Sequence, residues 1–213
     1  MPTTNTASSK PAASCLERPR GAFTLIELLM VVAIIVIVGS MLVSGLGVWS
    51  GRAVGNGGNL VVEDISYARE LAINTNRPAE IWFLRPTGGT SLTAMQVYTI
   101  DDNGNAVASA EVHYLPTGAA IDTGSNLSTL FGTGNQKQWT GSQAQPSISA
   151  FGTQYSCWYI RFMPDASTTL SSSQQWYLTV HSQTLGNQLA SLPHNYAMVS
   201  VEPVTGNVAL YRP

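Results

Sequence analysis

Arg20-Gly21-Ala22-Phe23-Thr24-Leu25-Ile26-Glu27-Leu28-Leu29-Met30 joins a polar, basic N-terminus to a long apolar run. Every residue from Leu28 to Val38 is apolar, and the tendency continues through Met41, Leu42, Val43, Leu46 and Val48 to Trp49. A helix over 28–49 would be about 30 Å long, the thickness of a bilayer's hydrocarbon core. Lys10, Arg18 and Arg20 precede the run and only Arg52 follows it closely. That asymmetry places the N-terminus in the cytoplasm and the remaining chain across the membrane, with Trp49 suited to the far interface. Glu27 breaks the pattern, because an acid near a bilayer centre costs about 2.5–3.5 kcal/mol, and less toward the interface. A secretory signal cut near Ser40 or Ser44, or a permanent single-span anchor, leaves this carboxylate without a purpose.

The segment Arg20 to Leu29 resembles the class III signal of type IV pilins and pseudopilins. The resemblance implies a dedicated membrane peptidase that cuts before Phe23 and N-methylates it, giving a mature chain that begins Phe-Thr-Leu-Ile-Glu. The family's residue before the cut is usually Gly, whereas here Gly21 lies one place earlier and Ala22 occupies the site. Two cleavages remain open: Ala22/Phe23, with Glu27 fifth, or after Gly21, with Glu27 sixth. The register favours the first. The new Phe23 α-amine, with a reference pKa of about 7.7, and the Glu27 carboxylate lie about one helical turn apart. Each lowers the other's burial cost if they meet, within one subunit or between staggered neighbours. In the family the pairing is to the neighbour, Glu27 neutralising the Phe23 amine of the next subunit. The implied partners are a prepilin peptidase/N-methyltransferase, other pilin or pseudopilin subunits, the inner-membrane assembly platform, and lipid along 28–49.

The domain organisation follows outward from this segment: a cytoplasmic leader at 1–22, cleaved; a transmembrane or filament-core helix at 23–52; a glycine-rich break at 53–58; and an exported head at 59–213. Small residues Gly39, Ser40, Ser44, Gly45 and Gly47 dilute the second half of the span; spacing such as Ser40 to Ser44 permits close helix approach, though glycine is also simply frequent there. Asn59 is placed to cap a second helix whose first turn carries Glu63 and Asp64. Val61, Ile65, Ala68 and Ala72 give it one apolar face, and Pro78 stops it near Asn76. Strands are expected over 79–84, 94–100, 106–115, 157–163, 175–182, 197–202 and 208–211. In the third, Ala108, Ala110, Val112 and Tyr114 alternate with Ser109, Glu111 and His113, so one face is wet. The fold class is therefore α+β: a long hydrophobic helix, then an amphipathic helix packed on antiparallel sheet.

Residues 117–155 form a Gly/Ser/Thr/Gln-rich loop carrying Phe131, Trp139 and Phe151. It reads either as an exposed contact surface or as irregular structure whose aromatics fold back on the sheet; large isolated aromatics are usually buried, which favours the second. Tyr67 to Pro78, Ile160 to Asp165 and Val199 to Val208 are similar to the H-type minor pseudopilins and FimT-like pilins, and length and layout resemble the pilin-like D protein of the Verru_Chthon cassette. Some FimT-like pilins bind DNA through an arginine after the final Thr-Gly. Here Gly206 is followed by Asn207-Val208-Ala209-Leu210, so no nucleic-acid partner is expected.

Composition excludes several other classes. A charged fraction of 10% with 44% apolar residues is not that of a disordered chain, and a net charge of −2 with pI near 5.9 lacks the basic excess of a nucleic-acid binder. Removal of the leader leaves seven basic and eleven acidic residues. Cys15 and Cys157 are the only cysteines, and His113, His181 and His194 lack zinc spacing, so neither a disulfide scaffold, a metal site nor a cofactor is expected. Asp101-Asp102-Asn103-Gly104-Asn105 has alternating oxygen ligands like a calcium loop, but lacks the later glutamate and reads better as a hairpin turn. His113 and His181 are expected to be solvated. Neither a Gly-x-Ser-x-Gly elbow nor a phosphate loop occurs; no enzymatic activity is expected. The expected function is that of a filament subunit, low charge and the long loop pointing to a minor one. The rival is a single-span anchored binding protein that does not polymerise.

Overall fold

The computed structural model describes residues 24–137, 145–148 and 151–213, excepting the side chains of 40–50 and 133. The chain divides into two compact units, 1–44 and 45–213. Among the described residues one α-helix, α1, runs from Leu25 to Thr75, and nine strands follow it: β1 Ala79–Pro86, β2 Ala94–Ile100, β3 Ala106–Ala108, β4 His113–Tyr114, β5 Ala119–Ile121, β6 Tyr155–Phe162, β7 Trp176–Ser182, β8 Tyr196–Val201 and β9 Val208–Tyr211. They form two antiparallel sheets, one ordered β3-β2-β1-β6 with β4 also on β2, the other β5-β7-β8-β9. The α+β class holds, with two sheets.

The glycine-rich break expected at 53–58 is absent, and α1 passes through it unbroken. Glycine was needed there for closeness to the sheet. A Cβ on Gly58 would lie 2.6 Å from the Ala197 Cβ, and one on Gly57 would lie 3.2 Å from Val180 Cγ1. Packing on the second sheet supplies what roughly 1 kcal/mol per glycine of lost helix propensity takes away. Consequently the core of the 45–213 unit starts at Val54, fully buried, rather than after residue 58, and Asp64 sits mid-helix instead of in a first turn.

Val54, Val61, Ile65, Ala68 and Ala72 recur at helical spacing and are all fully buried, packed on the inner faces of both sheets: Ala79, Ile81 and Phe83 of β1, Ile160 and Phe162 of β6, Leu178 and Val180 of β7, Val199 of β8. Each large aliphatic side chain so buried contributes about 1.5–3 kcal/mol. The helix ends as Asn76 turns left-handed at φ 51° and donates its N–H to the Ile73 carbonyl, two residues before Pro78.

The single strand expected over 106–115 is split. Tyr98 pairs with Ala108, while Met95 pairs with His113 rather than Glu111. Two extra residues therefore bulge out between β3 and β4, and because the shift is even, the alternation of faces survives. Within 117–155, β5 pairs with β7 and the Phe131 ring is buried edge-on to Phe83 and Trp158. Further on, Ile148 is buried and Phe151 half-buried against the outer face of the first sheet, over Trp82, Leu84, Tyr98 and Tyr155. The described parts of this stretch thus cover the sheet; Trp139 lies outside the described residues.

Candidate functional site

Gly21, Ala22 and Phe23 lie outside the described residues; the site begins at Thr24. The Thr24 N–H and hydroxyl both donate to Glu27 Oε2, at 2.9 and 3.0 Å, and the Glu27 N–H donates to Thr24 Oγ1 at 3.3 Å. This reciprocal pair is a capping box, satisfying donors that the first turn of a helix leaves without partners. The carboxylate thus has a local reason to stand at the helix start, next to the expected cleavage bond. Beyond it, the large apolar side chains from Leu25 to Val38 are each more than half exposed. Among the described residues no helix is long and apolar enough to cross a membrane. The expected span at 28–49 continues into 40–50, whose side chains lie outside the description.

Among the described residues of the 45–213 unit, the Glu80, His181–Asp122 and His113–Asp64 groupings were unforeseen, and the Asp101 loop was expected. Glu80, fully buried on β1, accepts from Arg161 Nε and Nη2 at 2.8 and 2.6 Å, from Lys137 Nζ at 2.7 Å and from Trp82 Nε1 at 2.6 Å. The alternation of β1 gave a hint, since Glu80 falls on the same face as Trp82 and Leu84. This network fastens 137 to the sheet, and beneath the same cover burial pushes the Cys157 thiol well up and Tyr155 to about 12.

His181, expected to be solvated, is fully buried: its Nε2 lies 3.3 Å from Asp122 Oδ2 and its Nδ1 2.9 Å from the Ser182 carbonyl. His113 is half exposed but not free, with Nδ1 2.7 Å from Oδ1 of the buried Asp64. Burial raises the Asp64 pKa and the His113 partnership opposes the rise. The Asp101 loop is a turn whose carboxylate accepts from the Asn103 and Asn105 N–H groups, with Gly104 at φ 82°; those bonds, the Asn105 backbone first, hold the Asp101 pKa down. Among the described residues no group of His, Cys, Asp and Glu could hold a metal ion.

Residues 18–43 match the family model of the prokaryotic N-terminal methylation motif. The chain carries a prepilin-type N-terminus. The matched residues include Arg18, Arg20, Ala22, Phe23, Glu27 and the first part of the apolar helix. No curated protein matches the chain. Among solved structures, the minor pseudopilin EpsH from the Type 2 Secretion System of Vibrio cholerae is similar at 10% identity and TM-score 0.42, over 75% of this chain and 97% of that one. The type IV minor pilin FimU of Pseudomonas aeruginosa is similar at 11% identity and TM-score 0.44, over 76% of this chain and 93% of that one.

Proposed function

We propose that the chain is a structural subunit of a type IV pilus-like or type II secretion pseudopilus filament, anchored in the bacterial inner membrane with its head exported. A prepilin peptidase cuts between Ala22 and Phe23 and methylates Phe23. The helix then moves from lipid into a bundle of other subunits' helices at the assembly platform. Its work is polymerisation and not chemistry.

The observation that carries this reading is Glu27: one carboxylate at the head of an exposed apolar helix, inside the segment that matches the methylation motif. In the uncut chain its charge is spread over Thr24. Cleavage creates a cation at Phe23, four residues before Glu27, and the capping box is then in competition with an ion pair to Phe23 of a neighbour. In an apolar bundle the ion pair prevails, since an amine left without a counter-charge there is strongly disfavoured.

Glu27→Ala tests it. The variant should insert in the membrane and be cleaved, yet be absent from the sheared filament fraction. Normal recovery from that fraction would overturn the assembly role, and retention of partner binding without any filament would point to an anchored receptor.

A further inference from the structure

The exposed stripe of α1 within the 45–213 unit carries opposite charges at its two ends. Arg52, Asn59, Glu63 and Glu70 are all exposed and fall within about 20° of one line along the helix. At the N-terminal end, Arg52 has no hydrogen bond or ion pair among the described residues, and Arg212 donates only to neutral groups, the Gly55 carbonyl at 2.8 Å and Asn59 Oδ1. At the other end Glu63, Asp64 and Glu70 line a hollow of about 420 Å³ together with Tyr67 and His113. Asp64 is 3% exposed there; its Oδ1 meets His113, while its Oδ2 has no partner.

Three carboxylates face one imidazole, so the hollow attracts positive charge. The described residues offer no metal cluster, and the space admits a long arm ending in a planar cation whose several donors match carboxylates. We propose that the hollow receives the Arg52 guanidinium of a second copy of this chain, parallel to the first and displaced along the helix by about three turns, roughly 16 Å. A head-to-tail contact of this kind leaves one free cation and one free hollow at the ends of every stack, and so propagates without closing. The proposal rests on the filament reading and adds which surfaces meet.

The test uses the full chain in cells that carry the assembly machinery. Arg52→Cys combined with Glu63→Cys should give a ladder of copies with a short bismaleimide in the sheared filament fraction, and neither single variant should. Arg52→Glu should lower filament yield about tenfold or more, and Arg52→Glu with Glu63→Arg should restore it. Filaments containing N-methylated Phe23 but no ladder, or no rescue by the charge exchange, would overturn this contact and leave the filament reading standing. Absence of filaments and of processing in the unsubstituted chain would overturn both.

Discussion

His181 and Asp122 are sealed together, both fully buried, with imidazole Nε2 3.3 Å from carboxylate Oδ2. The carboxylate accepts the N–H groups of Gly124 at 2.6 Å and Leu189 at 3.0 Å, so one side chain ties the segment after β5 to the segment before β8. Asp122→Ala removes the acceptor of two part-buried amides and leaves a cavity beside the buried imidazole. It should cost about 1–3 kcal/mol for each amide left without an acceptor, read by urea denaturation of the detergent-solubilised chain, whereas His194→Ala, on an exposed loop, should cost little.

The helix–sheet approach at Gly58 gives a second prediction. Gly58→Ala gains helix propensity of about 1 kcal/mol but drives a methyl into Ala197, an overpacking cost of typically 1–3 kcal/mol. Net destabilisation is expected, and Ala197→Gly in the same chain should relieve it. Were 53–58 a hinge, as its composition suggests, the substitution would instead stabilise.

Asp64 sets a pH dependence. Its folded pKa is raised, chiefly by burial, so the stability it lends is complete below the unfolded value of about 3.9 and is lost as pH rises through the folded value. Asp64→Asn, which can still accept from His113, should therefore stabilise the protein at pH 7 and leave it unchanged at pH 3. Equal effects at both pH values in thermal melts would contradict this origin.

Cysteine reactivity reports processing. Burial holds the Cys157 thiol well above its ordinary pKa, and the side chain is 1% exposed. Native mature protein at pH 8 should not react with iodoacetamide until unfolded. Uncleaved precursor should react once, at Cys15 of the leader.

Much of this fold could be read from spacing. The apolar series of α1 and the β-branched runs of β1, β2, β7 and β9 each carry their periodicity locally, so their ends fall within two residues of expectation. What failed was whatever depends on distant partners. Gly57 and Gly58 read as a hinge because glycine signals both flexibility and closeness, and only the opposing Ala197 and Val180 decide between them. His181 read as wet because its neighbour Asp122 is far away in sequence. Glu80 looked like one more strand residue until Arg161 and Lys137 came to it. At the N-terminus the reverse holds: Thr24 and Glu27 are three residues apart, and local spacing was enough to mark Glu27 as the residue to explain, though not to foresee its bond to Thr24.

If Glu27 takes its partner from a new amine at Phe23, the mature chain has to begin at that residue. Mass spectrometry of the N-terminal peptide of the chain recovered from cells with an active prepilin peptidase decides this. A peptide beginning with N-methylated Phe23 is the predicted result; one that retains Met1 or begins near Gly45 would contradict it.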